Sequence, residues 1–179
     1  MDRRDFLQSA LASAVFSSIP GIGKASRLFG ADLPATEENT NWASLAQKTS
    51  VQASNFVADP PWGYTPLNAI GEDLMNSWEA DGQASGAWLE VKFPQPRPVS
   101  EIWVLSKALP RDVLGQDVYN LAYSRVQWFQ PARHIRVSFA DGDTVRAELR
   151  QADYFQIITL PQTKQTSTVR ITVDDVWPK

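Results

Sequence analysis

The stretch Leu67–Val104, LNAIGEDLMNSWEADGQASGAWLEVKFPQPRPVSEIWV, decides the fold. A turn-rich piece from Gly71 to Ser77 delivers Trp78, and a second turn from Asp81 to Gly86 delivers the run Ala87 to Phe93. In an extended chain side chains alternate between faces, so Ala87, Leu89, Val91 and Phe93 share one face and Trp88, Glu90 and Lys92 the other. Pro94, Pro96 and Pro98 end that strand, because proline cannot donate to a sheet ladder. Val99 to Leu105 then resumes the apolar pattern with Ile102, Trp103 and Val104. Strands that are neighbours in sequence usually pair antiparallel, so two short strands about a proline corner are expected here. Short alternating strands punctuated by Gly and Pro make an all-β chain, an antiparallel β-sandwich.

The same pattern continues on both sides. Val51-Gln52-Ala53 reads as a short first strand. His134 to Phe139 alternates strictly, and Asp141-Gly142 supplies the hairpin turn before Thr144 to Leu149. That alternation puts His134, the single histidine of the chain, on the polar face of its strand. Tyr154 to Leu160 and Thr168 to Val176 are the closing strands, parted by a polar turn from Pro161 to Ser167. The last of them sets Val169, Ile171 and Val173 on one face.

The spacing from Ala69 to Trp78 and the run Trp88-Leu89-Glu90-Val91 resemble discoidin-like domains, also called coagulation factor type C or galactose-binding-like domains, which include many carbohydrate-binding modules. The family pattern is Ala-x-Asp-Gly-Asp/Asn-x-x-Thr-x-Trp, a turn, then Trp-Leu/Ile-x-Val-x-Phe/Leu. Ala69, Trp78, Trp88, Leu89, Val91 and Phe93 fall on it, and with the downstream strands the resemblance covers Ser50 to Trp177. It implies a jelly-roll sandwich that binds a ligand through its loops. In the family the loop before the Trp often wraps a structural calcium ion. Here Gly71 replaces the first Asp and Glu72 the Gly, while Asp73 keeps the second acidic position and Asn76 stands for the Thr. Calcium takes about six to eight oxygen ligands, so one lost carboxylate weakens such a site without abolishing it. By resemblance Asp73, Asn76 and Asp174 are the calcium candidates. The alternative is that Asp73 and Asn76 only hydrogen-bond the loop backbone, and that Asp174 and Asp175 are solvated carboxylates at a strand end.

The chain starts Met1-Asp2-Arg3-Arg4-Asp5-Phe6-Leu7, then runs through an Ala/Ser-rich apolar segment to Ile19, Pro20-Gly21 and small residues near Ala25. A charged start, a short apolar run and a small-residue site are the features of an export leader, and the run falls short of the roughly 20 residues a membrane span needs. Arg-Arg-x-Phe-Leu resembles a twin-arginine signal, which exports folded proteins to the periplasm or beyond. The expected organisation is therefore a leader over 1–25, a linker over 26–48 with a short helix at Asn41 to Gln47, and a sandwich domain over 49–179. The chain has no cysteine, which excludes a disulfide framework, a thiolate metal site and a lipidated cysteine. A formal net charge of −3 and the lack of a basic stripe argue against nucleic acid.

Two loops carry candidate binding residues. Asn55 to Pro66 holds Trp62 and Tyr64 among prolines, and rigid aromatic rings can cover the apolar face of a sugar at small entropic cost. The alternative is that Trp62 folds back as a lid on the core. Lys107 to Ser124 is long for a connection, and loops of that length are often functional. In it Arg111 is a donor and Asp112 an acceptor for sugar hydroxyls, with Tyr119 nearby. No Gly-x-Ser-x-Gly elbow, His-Glu-x-x-His helix, phosphate-binding glycine loop or cysteine nucleophile is present, which points away from a hydrolase. The expectation is an exported, non-catalytic module for carbohydrate or a cell-surface glycan. A protein-interaction or adhesion domain is the alternative.

Overall fold

The computed structural model describes residues 8–11, 13–17, 41–44, 47–58, 64–70, 77–106, 129–151 and 155–178. Among the described residues eight strands follow one another: β1 (Gln8–Leu11), β2 (Ser13–Ser17), β3 (Ser50–Ala53), β4 (Trp78–Glu79), β5 (Trp88–Leu105), β6 (Phe129–Phe139), β7 (Thr144–Glu148) and β8 (Gln156–Val176). A 3-10 turn over Pro66–Ile70 buries Ala69 and Ile70. Strand order runs β2-β5-β8-β6-β1-β4, with β3 added to β5 and β7 to β6. All pairs are antiparallel except β1 with β6, which is parallel. The β-sandwich expected from the sequence is the fold observed.

Two strand boundaries differ from expectation. The runs Ala87–Phe93 and Val99–Leu105 do not pair with each other. They are two halves of β5, and each half pairs with β8, Trp88–Lys92 with Thr168–Thr172 and Glu101–Val104 with Gln156–Thr159. The closing strands likewise form the single strand β8. The register shifts between Lys92 and Arg97 and again between Val99 and Glu101. Irregular pairing of this kind lets a proline-bearing strand bend without ending. The proline corner is thus a bend within a long two-stranded ribbon.

Leu89 and Val91 of β5, Ile135 and Val137 of β6, and Val169, Ile171 and Val173 of β8 turn the same way and are almost completely buried. Fully burying one such side chain contributes roughly 1.5–3 kcal/mol. Trp78 is fully buried and its indole N–H donates to the Asn55 carbonyl at 2.9 Å. Trp42 and Ala43, inside the stretch read as a linker, also join this core. The Trp42 indole donates to Pro98 O at 3.1 Å, and Arg97 lies 4.4 Å over its ring. Part of the expected linker is therefore packed on the domain, and at its start Ser44 N donates to Asn41 O in a turn.

The Asp-Gly hairpin joins β6 and β7 as expected, from His134 opposite Glu148 to Ser138 opposite Thr144. Gly142 adopts φ +88°, a conformation that side-chain-bearing residues rarely take. Lys164, from the middle of β8, reaches both Asp141 and Asp143 at the hairpin tip. Within the expected leader, β2 pairs with Glu101–Leu105 of β5, and β1 lies between β6 and β4. Among the described residues no helix is long and apolar enough to cross a membrane.

Candidate functional site

Residues that alternate with the core positions form the outer face of the sheet. Across β5, β8 and β6 the pairs Trp88–Thr172, Glu90–Arg170, Lys92–Thr168, Arg136–Thr172 and Ser138–Arg170 lie side by side. This face holds an open groove of about 680 Å³, within the size range of small-ligand sites. Glu90, Lys92, Arg136 and Arg170 supply its charges, and Ser138, Thr144, Thr168 and Thr172 its hydroxyls.

The floor of the groove is built around Glu90, which is 8% exposed. Arg170 grips it through Nη2 at 2.7 Å and Nε at 2.8 Å, and Lys92 Nζ lies 3.1 Å from its other oxygen. Burial works to raise the Glu90 carboxyl, but the hydrogen bonds and charges of Lys92 and Arg170 outweigh it and hold the group below its ordinary value. The Arg170 guanidinium lies 4.2 Å over the Trp88 ring, a cation–π contact that fixes it flat. Arg136 pairs with Asp174 at 3.3 Å. Beyond it, His134 Nδ1 sits 2.8 Å from Asp175, and that hydrogen bond lowers the Asp175 carboxyl although its slight desolvation acts the other way.

Of the residues expected to bind, Trp62, Arg111, Asp112 and Tyr119 lie outside the described residues, as do Asp73 and Asn76. Tyr64 is half-buried. Its N–H donates to Val57 O at 3.2 Å, and its carbonyl accepts from Glu79 N at 3.3 Å. Burial raises the Tyr64 hydroxyl, and the Glu79 charge raises it further. Asp174, the calcium candidate within the described residues, has its carboxylate on Arg136 and its carbonyl on the Ser85 hydroxyl at 2.8 Å. Arg136 thus pairs with one oxygen of the Asp174 carboxylate.

The sequence reading put Trp88, Glu90 and Lys92 on an outward face but did not select Arg136 or Arg170. Each is one more polar residue in an alternating strand, and their clustering depends on which strands lie side by side. Strand alternation was the available signal; β5-β8-β6 adjacency was not.

The architecture is that of a galactose-binding-like β-sandwich. The family 32 carbohydrate-binding module of C. perfringens NanJ, solved in complex with galactose, matches 72% of this chain and 84% of its own, with TM-score 0.50 and 12% identity. The family 32 module of Streptococcus pneumoniae EndoD matches 71% of this chain and 84% of its own, with TM-score 0.42 and 18% identity. No protein-family model matches the sequence, and no curated protein does.

Proposed function

We propose that the chain is an exported, non-catalytic module that binds carbohydrate. The observation that carries this reading is the outer-face groove, where hydroxyls and charged groups stand beside a fixed aromatic ring on a fold also used by a galactose-binding module. Sugars are held by hydrogen bonds to their hydroxyls and by contact with ring faces; the groove supplies the hydrogen-bonding groups, and Trp62 and Tyr64 are proposed for the ring contact. Trp62, Tyr64, Arg111, Asp112 and Tyr119 are proposed as further sugar contacts, and Asp73, Asn76 and Asp174 as ligands of a structural calcium ion.

A glycan array probed with the full chain tests the reading, with binding to at least one oligosaccharide class as the expected result. Silence across neutral and acidic glycans alike would refute it. On any glycan that binds through the loop end, Trp62→Ala should weaken affinity by about 1–3 kcal/mol, the range of strong interface truncations. Export is tested separately, since Arg3→Lys with Arg4→Lys should retain the protein inside the cell, and normal export of that variant would remove the twin-arginine assignment.

A further inference from the structure

The groove is positive on an acidic chain. Its lining carries Lys92, Arg136 and Arg170 against the carboxylate of Glu90, with Asp174 on the flank of Arg136, so the face keeps a net positive charge while the whole chain has a formal net charge of −3. These cations are accessible, with side-chain exposures of 49% for Lys92, 40% for Arg136 and 42% for Arg170. Register adds an independent sign. Arg136 on β6 stands directly opposite Arg146 on β7, and alternation puts both on the outer face. Like charges facing each other across a strand pair disfavour the sheet. Asp174 on Arg136 offsets part of that repulsion, and an anion lying along the face would relieve the rest.

Glu90 does not neutralise the groove. Its two oxygens are taken by two cations, so the trio of Glu90, Lys92 and Arg170 keeps a net positive charge. Its effect is positional, because the carboxylate below and Trp88 behind hold the Arg170 guanidinium in one plane. A planar, fixed guanidinium is suited to a carboxylate, which it can meet with two parallel hydrogen bonds. The groove hydroxyls on Ser138, Thr144, Thr168 and Thr172 can then serve the sugar hydroxyls around that group. The groove lies across β5, β8, β6 and β7, three strand spacings or about 14 Å, which favours a chain of sugars over a single ring.

We propose that the outer-face groove formed by Lys92, Arg136, Arg170 and the neighbouring Arg146 binds an acidic oligosaccharide through its uronate carboxylates. This rests on the carbohydrate-binding reading and adds the substrate class.

The test measures binding of the full chain to oligogalacturonate, to its methyl-esterified neutral form, to a sulfated oligosaccharide and to single-stranded DNA of matched charge. Oligogalacturonate should bind, affinity should fall as salt is raised, and methyl esterification should weaken binding at least tenfold. Arg136→Glu should weaken it at least tenfold while the chain still unfolds cooperatively. Arg150→Glu, an equal change of charge outside the groove lining, should leave it unaltered. Arg170→Gln, which also loosens Glu90, serves as a second variant read together with its circular dichroism spectrum. Equal binding of the methyl ester, indifference to Arg136→Glu, an equal loss with Arg150→Glu, or tighter binding of the sulfated sugar or the DNA would each overturn the proposal. Neutral glycans bound independently of Arg136 would sink this inference but leave the broader function standing, whereas no glycan binding at all would sink both.

Discussion

Replacing Glu79 by Gln should remove most of a pH dependence of stability that the native chain shows between about pH 5 and pH 8. Glu79 is 4% exposed, on the short strand β4 beside Trp78. The Ser77 hydroxyl donates to Glu79 Oε1 at 3.0 Å, while Oε2 is buried with no hydrogen-bond partner. Burial pushes the Glu79 carboxyl from 4.5 up to about 8, against the smaller opposing effect of the Ser77 bond. In the unfolded chain the group returns to the ordinary carboxylate value. Below that value both states hold the proton and the contribution to stability is complete. Between the two values the folded chain keeps a proton that the unfolded chain has released, so stability falls as pH rises, by at most about 1.4 kcal/mol per pH unit. Across the interval from 4.5 to about 8 the upper bound is about 5 kcal/mol, a large share of a domain's usual stability. Gln imitates the protonated side chain and keeps the oxygen that accepts from Ser77, so the variant should match the native chain near pH 5 and exceed it near pH 8. Urea unfolding at four pH values reads the slope, and a His134→Asn background removes the single histidine from the signal. A native slope of zero or of opposite sign, or an equal slope in Glu79→Gln, would refute the reasoning.

A chain of residues 26–179 should still unfold cooperatively, because the described core extends from Trp42 to Val173, but at a lower Tm, since the five pairs of β2 with β5 and the pairs of β1 are lost. Failure of this chain to fold, by circular dichroism, would make the first 25 residues part of the domain. Chelation should lower the Tm and added calcium restore it, as for an ion that binds only the folded chain through Asp73, Asn76 and Asp174, and an unchanged melting curve with chelator and with calcium would reduce them to ordinary loop residues. Gly142→Ala should cost about 1–2 kcal/mol by denaturant unfolding, because φ is +88° while a Cβ there would meet no atom within 4 Å. No loss would mean that the turn rearranges without cost.

What the sequence determined by itself is whatever depends on neighbours along the chain. Period-two alternation assigned Leu89, Val91, Val137 and Ile171 to the interior and Trp88, Glu90 and His134 to the outer face, and the Asp141-Gly142 pair located the hairpin, because strand geometry and turn chemistry act over a few residues. The register of β5 on β8 did not follow from local pattern. Three prolines look like a stop signal, yet the strand continues through them because Arg97, Pro98 and Val99 still find partners on β8 more than 60 residues away, with the register shifting on either side. Trp42 was hidden for a similar reason, since an isolated tryptophan in a polar stretch gives no periodicity and its burial is decided by Arg97 and Pro98. The groove belongs wholly to tertiary structure. Glu90 and Arg170 are 80 positions apart, and only the pairing of β5 with β8 brings a buried carboxylate and a guanidinium to 2.7 Å beside an indole ring. Alternation names the face on which a side chain lies, whereas its neighbours on that face are set by long-range strand pairing, which is stabilised by the core beneath.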